Sequence, residues 1–143
     1  MPPVVVDASF TFRLLLPNPH QTTARAHGDQ WIRDGQTLAA PTLWLYEMTS
    51  ALVKSVHFGN LTEDEGRRSL AFLHSFPLAL ITPDARLTAA AYNWSRRLQR
   101  ANAYDAFYLA LAQALGGEFW TADRRLTRAV QQPWVHCLAE SVE

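Results

Sequence analysis

The chain has 143 residues, of which 48% are hydrophobic and 18% charged, a composition that excludes a disordered protein. The length fits one domain, and we expect that domain to span residues 1–143. Basic and acidic residues balance at 13 each, so the net charge is zero. This balance argues against a protein that binds nucleic acid through its overall charge, although local arginine clusters can still attract phosphates.

The cysteine content and the apolar runs indicate a cellular compartment. Cys137 is the single cysteine, so an intrachain disulfide is impossible and a reducing compartment is expected. The first residues become acidic too soon for a signal peptide, and no apolar run reaches the roughly 18–20 residues of a membrane helix. We therefore expect a soluble, cytoplasmic protein that does not associate with membranes.

Strand patterns begin at the N-terminus and recur along the chain. Val4, Val5 and Val6 form a continuous β-branched run, which is typical of a central parallel strand buried on both faces. The same reasoning predicts four further strands, over residues 37–40, 78–81, 119–121 and 134–137.

Helix patterns fill the intervals between these strands. They are predicted over about 9–16, 20–34, 42–58, 62–75, 83–99, from Asp105 to the glycine pair at 116–117, and over 124–130. Thr62 and Glu65 form a capping-box pattern, and Gly59 with Asn60 is a helix stop. Apolar faces are predicted at Ala26, Trp31 and Ile32 of the second helix, at Leu45, Met48, Leu52 and Phe58 of the third, and at Leu87, Ala91, Trp94 and Leu98 of the fifth.

Alternation of strands and helices implies crossover connections and parallel strand pairing. We therefore predict a three-layer α/β/α domain with a mainly parallel central sheet of four to five strands.

Four carboxylates fall at matching points of this predicted fold. Asp7 and Asp123 directly follow strands, and Glu47 lies in the second turn of a helix that follows a strand. Asp105 opens a helix that follows another helix. Ligands of open α/β sheets bind outside the carboxyl ends of the strands, so we expect these four acids to converge at that edge.

Such a cluster of acids points to metal chemistry. Like charges raise one another's pKa, and their desolvation costs free energy. A bound Mg²⁺ or Mn²⁺ offsets this cost, because hard cations prefer carboxylate oxygens and water. The ion can activate water and neutralise charge on a phosphate. The predicted chemistry is phosphodiester hydrolysis by metal-activated water, with no side-chain nucleophile.

The motifs that hold the acids resemble those of a known family. They are V-V-V-D-A-S, L-W-L-Y-E-M-T-S-A-L, Y-D-A-F-Y-L-A-L-A and W-T-A-D-R-R-L. Together, and in this order, they resemble the PIN-domain family, especially the VapC-type toxins of toxin–antitoxin pairs. The resemblance implies a PIN-like fold, an Mg²⁺- or Mn²⁺-dependent ribonuclease that acts on RNA, inhibition by an antitoxin protein, and a homodimer. It matches Asp7, Glu47, Asp105 and Asp123 to the family's acidic positions, with Ser9 and Thr121 supporting the site.

Structural alternatives exist for individual residues. Taken alone, Asp105 is better interpreted as a helix N-cap, and Asp123 is a second candidate cap. Arg124 and Arg125 fit RNA-phosphate contacts and a solvated helix face equally well. Arginines 96, 97 and 100 are interpreted as cations favoured by a helix C-terminus. Trp44 and Tyr46 flank Glu47 and are candidates for base stacking, but packing is the commoner role of helical aromatics.

Alternative functions exist for the whole chain. One is a catalytically silent PIN-like module that binds protein or RNA. A phosphoacceptor receiver domain is set aside because it needs a lysine after the last strand, and the single lysine, Lys54, lies in a helix. If an antitoxin binds, the predicted helices over 20–34 and 42–58 are candidates for an apolar groove that receives it.

Overall fold

The computed structural model describes residues 1–138, and these form seven helices and five strands. The strands are β1 (Val4–Val6), β2 (Leu38–Pro41), β3 (Leu78–Ile81), β4 (Glu118–Thr121) and β5 (Val135–Cys137). The helices are α1 (Ala8–Leu15), α2 (Gln21–Arg33), α3 (Leu43–His57), α4 (Glu63–Leu73), α5 (Ala85–Arg97), α6 (Tyr104–Leu115) and α7 (Arg124–Val130). Among residues 1–138, no helix is both long enough and apolar enough to cross a membrane.

The five strands form one sheet in the order β3-β2-β1-β4-β5, and every pairing is parallel. The predicted three-layer fold with a parallel sheet is therefore confirmed. β1 lies at the centre, and its three valines are at most 1% exposed, as the β-branched run predicts. β2 and β3 are added on one side of β1, and β4 and β5 on the other side. β1 and β4 are therefore neighbours, although 112 positions separate Val6 from Glu118.

Each face of the sheet carries its own hydrophobic cluster, because successive side chains of a strand point to opposite faces. Val4 and Val6 belong to one cluster, together with Phe10 of α1 and Trp31 of α2. Val5 belongs to the other, which contains the buried face of α6 and parts of α3 and α5. The result is a helix layer on each side of the sheet, with α6 covering β1, β2 and β4.

Side chains at the helix ends explain several boundaries. The capping box of Thr62 and Glu65 is present at the start of α4, as predicted. Asp7, Asp84 and Asp123 each accept a hydrogen bond from a backbone N–H in the first turn of α1, α5 and α7. Three of the strand-to-helix connections are thus fixed by a carboxylate.

Two of the predicted helix faces need correction. On α2 only Trp31 of the predicted face is buried; Ile32 is 55% exposed, and the buried residues are Ala24, Gly28 and Trp31. On α3 the prediction fails for Phe58, which is 73% exposed because the helix ends at His57. In each case a large apolar residue at the end of the helical pattern is exposed to solvent, and on α2 Ala26 is exposed as well. The predicted face of α5 is confirmed, with three buried residues and Leu98 half-buried.

Candidate active site

Asp7 lies at the carboxyl end of β1 and is only 6% exposed. Its Oδ1 accepts hydrogen bonds from the Phe10 backbone N–H at 2.9 Å and from the Ser9 hydroxyl at 2.7 Å. Its Oδ2 accepts one from the Thr121 hydroxyl. The carboxylate therefore caps α1 and is oriented from both oxygens.

Ser9 and Thr121 join the ends of β1 and β4. Their hydroxyl oxygens lie 3.2 Å apart, and Ser9 Oγ accepts a hydrogen bond from the Ala122 N–H at 2.9 Å. Thr121 Oγ1 accepts one from the Asp123 N–H at 3.0 Å. Asp123 in turn accepts a hydrogen bond from the Leu126 N–H at 3.1 Å, which caps α7. The two hydroxyls thus hold the backbone of Asp123 beside the Asp7 carboxylate.

Glu47 lies on α3, and its partner comes from α6. The Tyr108 hydroxyl donates a hydrogen bond of 2.6 Å to Glu47 Oε1. Tyr108 is 1% exposed and its ring stacks on Phe119 of β4. The sequence interpretation missed Tyr108, although it stands three positions after Asp105 and therefore on the same face of α6.

Asp105 is the second residue of α6, after Tyr104, and it does not cap the helix. The N-cap is Ala103, which makes no side-chain capping bond. The interpretation of Asp105 as an N-cap is therefore wrong. Its carboxylate lies instead 3.7 Å from a guanidinium nitrogen of Arg100.

The pKa shifts link the four acids into one electrostatic group. Burial raises the pKa of Asp7 to about 6, against the hydrogen bonds from Thr121, Phe10 and Ser9, and the Asp105 charge adds to the rise. Burial also raises the pKa of Glu47, with a further contribution from Asp105. For Asp105, burial and then the Asp123 charge raise the pKa. Asp105 is thus the carboxylate that interacts with each of the other three, and we call these four residues the acidic cluster.

The carboxylate oxygens of the acidic cluster are suitable ligands for a hard divalent cation, although they do not form a complete metal site by themselves. Within residues 1–138, no three His, Cys, Asp or Glu side chains lie close enough to hold an ion by themselves. Mg²⁺ ordinarily keeps several water ligands and uses only one or two carboxylates, so the chemistry of this donor set fits such an ion.

The other candidate residues occupy different positions. Arg125 is exposed and Arg124 half-buried at the start of α7, directly after Asp123. Trp44 is 2% exposed and donates a hydrogen bond to Thr11, so it belongs to the core rather than to a base-stacking surface. Tyr46 is 69% exposed.

Replacing Tyr108 by Phe should lower the free energy of unfolding by about 1–2 kcal/mol, because a buried hydrogen bond to a carboxylate is lost while the ring contact with Phe119 remains. Urea denaturation measures this loss. Tyr46→Phe is the matched control, since Tyr46 lies one position before Glu47 and is exposed. Equal stability of the two variants would contradict the role given to the Tyr108 hydroxyl.

Comparison with known proteins identifies the family. The PIN domain family model matches residues 4–131. A curated relative, Ribonuclease VapC3 of Pyrobaculum aerophilum, is 32% identical over 124 residues, which are 86% of this chain and 91% of the relative. A crystal structure from Pyrobaculum aerophilum covers 98% of this chain and 92% of its own, with a TM-score of 0.71 and 24% identity. A toxin–antitoxin complex from Klebsiella pneumoniae covers 94% of this chain and 97% of its own, with a TM-score of 0.63 and 16% identity. At these identities the solved structures support the fold alone. The model match and the curated relative carry the conclusion that this chain belongs to the PIN domain family.

Proposed function

We propose that the chain is a metal-dependent endoribonuclease that hydrolyses RNA phosphodiester bonds and acts as the toxin of a toxin–antitoxin pair. The observation that carries this proposal is the placement of the acidic cluster. Asp7 and Asp123 follow adjacent parallel strands and are joined through the Thr121 hydroxyl. Glu47 is hydrogen-bonded to Tyr108, which lies on the same face of α6 as Asp105. The curated relative is named a ribonuclease, which supports the same activity here.

Asp7, Glu47, Asp105 and Asp123 are the residues that we propose to hold Mg²⁺ or Mn²⁺. When bound, the ion supplies an activated water and neutralises charge on the phosphate. Ser9 and Thr121 act as positioning residues, because their hydroxyls donate to Asp7 and accept from the backbone after β4. Since the Ser9 hydroxyl is engaged in this way, water is the proposed nucleophile. Arg124 and Arg125, directly after Asp123, are proposed to contact RNA phosphates.

Cleavage of total cellular RNA by the purified chain tests the proposal, with Mg²⁺, Mn²⁺ or EDTA in parallel reactions. We expect cleavage with either ion, none with EDTA, and loss of activity in Asp105→Asn, which keeps the shape of the side chain and removes its charge. Glu63→Gln on the exposed side of α4 is the matched control. If wild type leaves RNA intact with either ion, the nuclease proposal fails and a binding module becomes the better interpretation.

A groove beside α2 is the surface that we propose for the antitoxin. The cavity has a volume of about 660 Å³, with the end of α1 and α2 on one side and α4 on the other. Ile32 and Phe72 line it and are 55% and 53% exposed. Its second wall is α4, and not α3 as the sequence interpretation suggested. The double variant Ile32→Asp/Phe72→Asp should keep ribonuclease activity but escape inhibition by the antitoxin in a cleavage assay; retained inhibition would contradict this assignment.

Three further parts of the proposal concern the whole molecule. We propose that residues 1–143 act as one domain, since both hydrophobic clusters share one sheet.

We propose a homodimer, for which the exposed Tyr46 and Val53 of α3 offer apolar surface. Elution as a monomer in size-exclusion chromatography with light scattering would exclude the homodimer. An enzyme that acts on cellular RNA works in the cytoplasm, which is the proposed location.

A further inference from the structure

Arg100 lies in the connection between α5 and α6, beyond the helix predicted over 83–99. Helix α5 ends at Arg97, and Gln99 then adopts φ of 54°. That left-handed conformation is uncommon for a residue with a side chain and carries strain. The turn is closed by a hydrogen bond of 2.9 Å from the Arg100 N–H to the Ser95 carbonyl. The backbone is thus redirected immediately before Arg100, toward the start of α6.

The redirected side chain meets the acidic cluster. A guanidinium nitrogen of Arg100 lies 3.7 Å from Asp105 Oδ2, a distance that gives Coulombic attraction but exceeds a good hydrogen bond. The side chains of Arg100 and Asp105 are 34% and 40% exposed. The ion pair is therefore loose and half-solvated, so the arginine can leave Asp105 at little cost.

Arg97 lies close to Arg100 in the chain but has different surroundings. It belongs to the last turn of α5, and its guanidinium lies 4.7 Å from the centre of the Trp94 ring. The helix C-terminus and the aromatic face both favour a cation there. For Arg96 and Arg97 the interpretation as helix-end cations agrees with their position, whereas Arg100 has a partner in the acidic cluster.

The charges around Asp105 change when a divalent cation binds there. Arg100 and the cation are like charges that compete for one carboxylate. A guanidinium displaced from Asp105 is well suited to bind a phosphate, which it can contact through two parallel N–H groups. We propose that Arg100 pairs with Asp105 in the metal-free chain and binds a phosphate of the RNA strand when the cation is bound. This inference rests on the proposed function, because it needs both the cation and the RNA.

The test uses Arg100→Gln, which removes the charge, with Arg97→Gln as the matched control at the same helix end. Without RNA, Mn²⁺ affinity measured by electron paramagnetic resonance should rise about three- to tenfold in Arg100→Gln, because the competing cation is gone. With RNA, KM should rise about five- to tenfold with little change in kcat. The slope of log KM against log salt should fall by about 0.7, the value for one lost phosphate contact on a single strand.

In Arg100→Gln the affinity for Mn²⁺ should rise while the affinity for RNA falls. A purely structural role of Arg100 would not produce these opposite changes. Arg100→Lys should recover part of the RNA affinity, since a lysine also binds phosphate but lacks the planar fork. Unchanged Mn²⁺ affinity and unchanged KM in Arg100→Gln, with wild type active, would overturn this inference and leave the proposed function standing. A fall in Mn²⁺ affinity would also overturn it. A wild-type chain that neither binds Mn²⁺ nor cleaves RNA would refute both.

Discussion

Asp7→Asn should abolish RNA cleavage and, in the metal-free chain, raise the free energy of unfolding at pH 7.5 by about 1–3 kcal/mol. Loss of cleavage is expected because one charge of the acidic cluster is removed. The gain in stability follows from the raised pKa of about 6 for the buried Asp7 carboxyl, compared with an ordinary value of 3.8. A carboxyl with a raised pKa destabilises the folded chain wherever it must be ionised.

The gain in stability of Asp7→Asn should depend on pH. Above pH 6 the carboxyl of Asp7 is ionised in both the folded and the unfolded chain, so the full penalty is present. As pH falls from 6 towards 3.8, the folded chain takes up the proton first and the penalty shrinks. The stability advantage of Asp7→Asn should therefore be largest above pH 6 and should disappear near pH 4.

The packing around Asp7 can accept an amide. An Asn oxygen keeps the hydrogen bonds from Ser9 and Phe10, and its NH₂ can donate to the Thr121 hydroxyl. Asp84→Asn is the matched control, since Asp84 caps α5 in an exposed position and Asn caps equally well. Urea denaturation in EDTA at pH 7.5 and pH 4 measures the difference. A destabilised Asp7→Asn, or one that still cleaves RNA, would contradict the electrostatic role of Asp7.

Mn²⁺ should stabilise the wild-type chain strongly at neutral pH and much less below pH 6. An ion present at 100 times its Kd adds about 2.7 kcal/mol to the free energy of unfolding. Protons compete with the ion for the same oxygens. Because the pKa of Asp7 is raised to about 6 and those of Glu47 and Asp105 are also raised, this competition begins closer to neutral pH than for ordinary carboxyls.

Thermal unfolding with and without Mn²⁺ at pH 7.5, 6.5 and 5.5 measures this linkage. The shift in Tm should fall steadily across that series and should be nearly absent in Asp105→Asn at every pH. Asp84→Asn again serves as the control and should behave as wild type. A shift of the same size at pH 5.5 and 7.5, or one retained in Asp105→Asn, would mean that the ion binds elsewhere.

The local elements and the positions of two acids follow from sequence alone. The β-branched run 4–6, the capping box at Thr62 and the glycine pair at 116–117 each determine a short segment through its own backbone preferences. Asp7 and Asp123 stand directly after strands that the structure places side by side and parallel. Residues that directly follow parallel strands lie at the same edge of the sheet, and this does not depend on how the helices pack.

The partners of Glu47, Asp105 and Arg100 were decided by tertiary structure. The hydrogen bond from Tyr108 to Glu47 spans 61 positions and depends on how α3 and α6 pack. Asp105 has a residue type that is common at caps, yet it lies two positions after the N-cap Ala103. Its carboxylate faces Arg100, which follows the left-handed turn at Gln99. Sequence determines the type and the approximate extent of each element, because these depend mainly on neighbouring residues. Which side chains meet between elements depends on helix packing and on single backbone turns, which leave no periodic signal in the chain.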